Sequence, residues 1–333
     1  MAEGNQHGKM TAYMADVEIA DADPEATQKE LREAAAPFNR LSADVILRSS
    51  DRVNFRVWKN ILAEASPFFH DLFSLPQPVT AASGKQQDED DSVSVVPMTE
   101  DSVVLDKLLR FCYPIRDPEF ASLDELRPVI DAAKKYLMDE ALQLLRTRLL
   151  AFASVSPIST YAVAIRYGLE EEARHAAKCF LGHAWEWDKI YVPELEDISA
   201  GAYHRLLEYH RRCGELATGL VKIFRWIDSA NAWVFLECSN CAGDQQQWYM
   251  LGDVLRTPRT WWMQHMERSG KLLENRPSAE TIRSTGWTDQ AVLDAMNCAV
   301  CKQKVVEHMR RFNEKFAAEL DRVVSEVKLE IRM

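Results

Sequence analysis

Residues 42–73 read S-A-D-V-I-L-R-S-S-D-R-V-N-F-R-V-W-K-N-I-L-A-E-A-S-P-F-F-H-D-L-F. The run Asp44-Val45-Ile46-Leu47-Arg48 is rich in β-branched and aliphatic residues and predicts a short strand. Ser49-Ser50-Asp51-Arg52 is turn chemistry. Val53, Phe55 and Val57 then alternate with Asn54 and Arg56, the period of a half-buried strand, so the two runs predict a hairpin. Lys59 to Ala65 reads as a helix. Ser66 suits an N-cap and Pro67 the first position of the next helix, which is expected to bury Phe68, Phe69, Leu72 and Phe73.

Outward from this stretch, residues 1–39 read as a flexible arm, polar, acidic and Ala-rich. Gln77 to Ser92 reads as a loop whose run Asp88-Glu89-Asp90-Asp91 is a solvated charge cluster. Val93, Val95 and Val96 predict a third strand. A helix from Asp101-Ser102 carries Val104, Leu105, Leu108, Leu109 and Cys112 on one face and stops at Tyr113-Pro114. From Leu123 the pattern is helical. Leu126, Val129, Ile130 and Ala133 make one stripe, and Leu142, Leu145, Leu149 and Phe152 another. Ser156-Pro157 opens a helix that runs to Tyr167 and ends at Gly168, and residues 169–183 and 199–230 add further helix.

The segment Ser42 to Phe73 resembles the opening of BTB/POZ domains. The family pattern is an acidic residue before a strand, F-x-V-H-K at the end of a second, then I-L, S-x-x-F and a helix ending in Phe. Asp44, Phe55, Val57, Lys59, Ile61-Leu62, Ser66, Phe69 and Phe73 occupy those positions. The Val95 strand, the Leu105–Tyr113 helix and Ala132-Ala133-Lys134-Lys135-Tyr136 follow in the family's order, so the resemblance covers about a third of the chain, Leu41 to Ala153. Trp58 stands where the family has His. The remainder resembles the long BTB proteins of mushroom-forming fungi, through Cys238/Cys241, Trp261-Trp262, Cys298/Cys301 and the terminal Glu326 to Glu330. The resemblance implies an α+β BTB/POZ domain, a small sheet capped by helices, followed by a mostly α-helical C-terminal region. It further implies homo- or heterodimerisation and, in some members, recruitment of a cullin ubiquitin ligase or a corepressor. The expected organisation is an arm over 1–39, a BTB/POZ domain over 40–153, a helical region over 154–235, and a CxxC…CxxC region over 236–333 ending in a long helix.

Cys238-Ser239-Asn240-Cys241 and Cys298-Ala299-Val300-Cys301 are two C-x-x-C pairs separated by residues 242–297. Such a turn brings two thiolates to one tetrahedral zinc, and Gly243 just past the first pair would help it close. A shared Cys₄ structural zinc, stapling a long insertion to the terminal helix, is favoured over ordinary buried thiols at helix ends. A redox pair is less favoured, because no thioredoxin-like βαβ pattern surrounds either motif. His265 and His308 are the weaker metal-ligand candidates. His204/His210 and His175/His183 lack the i, i+4 spacing of a zincin motif. Trp185/Trp187 and Trp261-Trp262 fit core packing better than partner anchors.

Val305, Met309, Phe312, Phe316, Leu320, Val323 and Val327 form an apolar stripe along one helix. It either packs on the chain's own helices, the favoured reading, or forms a coiled-coil seam between subunits.

The 333 residues are 47% hydrophobic, with 12 Gly and 13 Pro, which favours a cored globular protein over fibrous or low-complexity classes. A net charge of −11 disfavours binding to a phosphate backbone. The seven cysteines do not suggest a disulfide framework, and the most apolar stretch, Leu149 to Ile165, is broken by Ser154, Ser156, Pro157 and Ser159. No secretory leader is visible, so the expectation is an intracellular protein, cytoplasmic or nuclear, with no membrane contact. No G-x-G-x-x-G, P-loop or G-x-S-x-G is present, so an enzyme is not expected. The leading function is protein–protein interaction as an adaptor or scaffold. The alternative is a transcription-associated regulator acting through recruited partners, although the chain lacks the histidine half of a C₂H₂ finger.

Overall fold

The computed structural model describes residues 30–75, 93–184, 191–228, 232–241, 248–284 and 286–332. Residues 1–29, the acidic run at 88–91, Trp185, Trp187 and Gly243 lie outside them. The chain divides into two compact units, one of residues up to Val57 with 86–102, the other of Trp58–Lys85 with Val103–Met333.

The first unit is a four-stranded sheet in the order β1-β3-β2-β4, with β1 at Arg32–Glu33, β2 at Val45–Arg48, β3 at Val53–Val57 and β4 at Ser94–Pro97. β2 and β3 form the expected antiparallel hairpin, with Leu47 opposite Phe55. β4 joins β2 in parallel, and β1 joins β3 in parallel. Ser49 hydroxyl donates to Asp51, which in turn accepts from the N–H and hydroxyl of Ser102. These bonds outweigh the cost of partial burial and hold the Asp51 carboxyl below its ordinary range.

Two features depart from the sequence reading. Residues 30–39, assigned to the flexible arm, supply β1 and the fully buried Phe38, whose ring tilts against Phe55 at 5.9 Å. A two-residue strand carries no periodicity that a sequence could show. Every residue of β3 is also buried, where the alternation predicted one solvated face. Asn54 and Arg56, expected to face solvent, are 4% and 6% exposed. Both donate to the Glu33 carboxylate of β1, and Arg48 donates to Asn54, so their polar groups are satisfied where they lie.

The second unit is helical. Its first helices are α1 (Lys59–Ala65), α2 (Pro67–Ser74), α3 (Ser102–Arg110, begun by the last residue of the sheet unit), α4 (Leu123–Lys135) and α5 (Asp139–Ala151). Trp58, where the family has His, donates its backbone N–H to the Tyr113 hydroxyl at 3.0 Å and tilts its ring against that tyrosine. Ser66 caps α2 as expected, accepting from Phe69 N–H at 3.1 Å, and its own hydroxyl donates to Tyr136 O at 2.5 Å. Of the four apolar residues of α2, Phe69 alone is buried, stacked on Tyr136, while Phe68 is 38% exposed. At 3.6 residues per turn the four share one arc of about 140°, so the helix period alone does not single out Phe69.

Ser66→Ala deletes a cap and a fully buried hydroxyl bond together. It should cost about 1–3 kcal/mol, read as a lower urea midpoint at unchanged slope. A midpoint equal to the parent's would mean that neither bond matters in solution.

The chain continues through α6 (Pro157–Tyr167), α7 (Glu170–Phe180), a 3₁₀ turn at Pro193–Asp197 and α8 (Ala200–Leu220). Gly168 ends α6 in the left-handed conformation, φ 72°, which glycine enters without a Cβ clash. The nearly buried Glu172 of α7 takes a two-pronged ion pair from Arg146 of α5, at 2.6 and 3.2 Å. Asp197 in the 3₁₀ turn bridges Arg127 of α4 and Arg166 of α6. These charges tie α4 and α5 to the helices that follow.

The last part holds a four-residue helix α9 (Val234–Glu237), a hairpin of β5 (Tyr249–Leu251) and β6 (Val254–Arg256), then α10 (Thr260–Asn275), α11 (Ala279–Arg283), α12 (Asp289–Met296) and α13 (Val305–Ser325). The hairpin is an element that the mostly helical reading of this region did not place. Helices α8 and α10 cross so closely that a Cβ on Gly214 would lie 2.8 Å from Glu274 O. No helix among the described residues is long and apolar enough to cross a membrane.

The stripe on α13 is buried within its own chain. Val305, Met309, Phe312, Phe316 and Leu320 are at most 1% exposed and Val323 is 8% exposed, while Val327 falls beyond the helix end. This agrees with the favoured reading, since α13 lies against α8, α11 and α12 of its own chain.

Candidate metal centre

The first cysteine pair is placed by the aromatic core. Phe235 in α9 is fully buried and stacks on Trp262 of α10, centroids 4.6 Å apart and rings 6° from parallel. Its carbonyl accepts from Arg259 N–H at 2.8 Å, which fixes the backbone just ahead of the pair. Cys238 is the C-cap of α9, its N–H donating to Val234 O. The second pair fills the connection from α12 to α13. Cys298 follows the end of α12, and Cys301 opens a 3₁₀ turn ending at Gln303 that feeds into α13. His308, one turn into α13, accepts at Nδ1 from Val234 N–H at 2.9 Å and so joins the two halves behind the cysteines.

The four Sγ atoms of Cys238, Cys241, Cys298 and Cys301 lie within 4.8 Å of one another. Cys238 Sγ is 3.5 Å from Cys298 Sγ, and Cys241 Sγ is 3.5 Å from Cys301 Sγ. Tetrahedral zinc–thiolate bonds of about 2.3 Å place sulfurs about 3.8 Å apart. The observed separations therefore suit four sulfurs around one ion and are far too long for disulfides; all four cysteines are free thiols. The donor set is all sulfur, which selects zinc or another thiophilic metal over oxygen-seeking magnesium or calcium. Cys238 and Cys301 are buried, Cys241 and Cys298 partly exposed.

The local electrostatics split the set. Backbone N–H groups of Cys301 and Val300 point at Cys298 Sγ; the Cys301 bond is the main cause that draws its thiol down to about 6. Burial pushes Cys241 up to about 11 and Cys301 up as well; the neighbouring sulfurs add to the rise at Cys301, whereas at Cys241 those of Cys298 and Cys238 raise it and that of Cys301 lowers it. Four thiols this close cannot all ionise unless a cation offsets the charge.

Neither backup ligand joins the cluster. His308 spends Nδ1 on Val234, and His265 is buried in α10 with its ring edge-on to Trp287. Among the described residues, these four cysteines are the one group of three or more side chains placed to hold a metal. Trp261 and Trp262 are core residues, 6% and 0% exposed. The aromatic core behind the pair was foreshadowed by Trp261-Trp262 and by Phe312 and Phe316 of the α13 stripe, whereas Phe224, Trp226, Trp233 and Phe235 carried no such signal.

With the sheet order, the helix succession and the cysteine cluster established, residues 37–152 match the family model of the BTB/POZ domain. The chain carries a BTB/POZ domain. No curated protein matches the chain. The matched span holds β2 to β4 and α1 to α5, whereas β1 precedes it and all four cysteines follow it. The BTB domain is in general a protein–protein interaction module, and the cysteine cluster lies outside the matched span.

Two buried histidines beyond the BTB domain set an acid limit. Burial depresses His210 in α8 and His265 in α10 to about 4, with Arg268 adding to the effect on His265. Between about 6.5 and about 4 the unfolded chain takes up protons that the folded chain refuses, so stability is full above 6.5 and falls as the pH falls through that window. The upper bound is roughly 3 kcal/mol for each histidine at about 1.4 kcal/mol per pKa unit. Urea unfolding at pH 7.5 and 5 should show the drop, and His210→Gln should flatten the slope. A variant with the parent's slope would show that His210 is not a cause.

Proposed function

We propose that this protein is an interaction adaptor whose BTB domain pairs with a second copy, and whose C-terminal region is clipped together by one structural zinc on Cys238, Cys241, Cys298 and Cys301. The BTB match over residues 37–152 carries the interaction reading. In the adaptor role the C-terminal helical region presents a bound protein, and the BTB domain docks a cullin ubiquitin ligase. The Sγ separations and all-sulfur donor set support the zinc. Bound there, zinc supplies a four-way cross-link and no reactive position, because a Cys₄ set leaves none open. A reducing intracellular compartment keeps the thiols available to it.

Native mass spectrometry of the full-length protein tests both parts. A dimer with one zinc per chain is the expected result. A monomer across micromolar concentrations sinks the pairing, and a metal-free chain after purification with zinc supplied sinks the clip. Failure to co-purify with a cullin N-terminal domain would remove the ligase role.

A further inference from the structure

We propose that the cysteine cluster is a peroxide-sensitive switch, in which a hydroperoxide expels the zinc and converts the four ligands into two disulfides, Cys238–Cys298 and Cys241–Cys301. This rests on the zinc reading above. Three observations carry it.

The two 3.5 Å sulfur contacts run between the C-x-x-C pairs. Each couples a buried sulfur to a partly exposed one: Cys238, 2% exposed, faces the more open Cys298, and Cys301, 0% exposed, faces the more open Cys241. Each pair therefore has one member that an oxidant reaches and one that it does not. Lastly, both links join the same two backbone segments, the end of α9 and the α12–α13 connection, as the metal does. Closing from 3.5 Å to a bond of about 2.05 Å asks for side-chain rotation and small backbone shifts.

The chemistry balances pair by pair. The exposed thiolate attacks the hydroperoxide; an S–O bond forms, the O–O bond breaks, and water or an alcohol leaves with a proton from solvent. The buried partner's sulfur then attacks this sulfenic sulfur; S–S forms, S–O breaks, and hydroxide leaves as water. Two thiolates lose two electrons and one hydroperoxide gains them. When both pairs have reacted, no thiolate remains to hold zinc, which leaves as the free ion. A dithiol reductant reverses both links and restores the site.

Trypsin makes the pairing readable. Cys238 and Cys241 share the peptide Trp226–Arg256, and Cys298 and Cys301 share Ser284–Lys302. Zinc-loaded full-length protein is treated with hydrogen peroxide, released zinc is followed with a chromogenic chelator, and the alkylated protein is digested without reduction. The expected result is full release of the zinc together with one species joining the two peptides. Fragmentation between Cys298 and Cys301 should assign Cys238 to Cys298, and dithiothreitol should separate the peptides and allow zinc to rebind. Closure of each C-x-x-C on itself, sulfinic or sulfonic acids in place of cross-links, or retention of zinc would each overturn the switch. A protein that holds no zinc before peroxide is added overturns instead the metal reading on which it rests.

Discussion

With zinc on the proposed site, full-length protein stripped of the metal is expected to lose the packing of its C-terminal region and to melt roughly 8–16 °C lower than the loaded protein. A structural zinc contributes roughly 10–16 kcal/mol of apparent binding energy at pH 7, and where the site exists only in the folded chain this is folding energy. Recovering all but about 4 kcal/mol by other contacts would still leave that shift, at about 2–4 °C per kcal/mol for a region of this size. The dependence is expected to be large because α9 is one turn long and the second pair sits in a connection between helices. Neither pair stands on a long element able to hold it in place alone. The readout is near-UV circular dichroism, because Trp226, Trp233, Trp261 and Trp262 sit in the ring cluster directly behind the cysteines. A spectrum and melting curve unchanged by a strong chelator would show that the thiols are ordinary buried groups.

Phe312→Ala is expected to destabilise the protein by about 3–5 kcal/mol, the range for truncating a fully buried aromatic. Phe312 is 0% exposed and lies at the centre of the cluster, with ring centroids of Phe235, Trp262, Trp226, Phe316 and Trp233 between 5.5 and 6.1 Å away. No neighbour can collapse into the space without giving up its own ring contact, so the cavity term adds to the lost transfer energy. Val306→Ala on the same helix is the control; Val306 is 59% exposed, and its truncation should stay within about 0.5 kcal/mol. The unfolding midpoints of the two variants are compared with the parent's at one protein concentration. A Phe312→Ala midpoint equal to the parent's would show that this ring cluster does not carry the stability of the region.

The elements that were legible in the sequence are those whose cause is local. The β2–β3 hairpin has two β-rich runs around turn residues, Ser66-Pro67 states a helix start, and Gly168 states a helix end. The α13 stripe was visible because its period extends over five turns. What the sequence hid depends on partners distant along the chain. Arg56 reads as an outward residue until Glu33, 23 positions earlier, is known to meet it. The pair Arg32–Glu33 looks like part of a tail until β3 offers it an edge. Phe68 and Phe69 are equally apolar and both rings lie against Tyr136, 5.2 and 5.3 Å away, yet only Phe69 is covered.

The same division holds at the candidate metal centre. By itself the sequence determined the chemistry: four thiols, in two turns of the spacing that lets a pair share one ion, on a chain with no catalytic signature. It also pointed to the BTB domain, whose strand and helix signals follow one another in the family's order on either side of the Gln77–Ser92 loop. Only the tertiary structure decided that the two C-x-x-C turns meet, because residues 242–297 intervene and nothing in their composition specifies where that insertion returns. It decided too which sulfur faces which, and that α13 closes on its own chain. Those outcomes follow from side-chain packing of Phe235, Trp262 and Phe312, a three-body fit among α9, α10 and α13 that no single segment encodes.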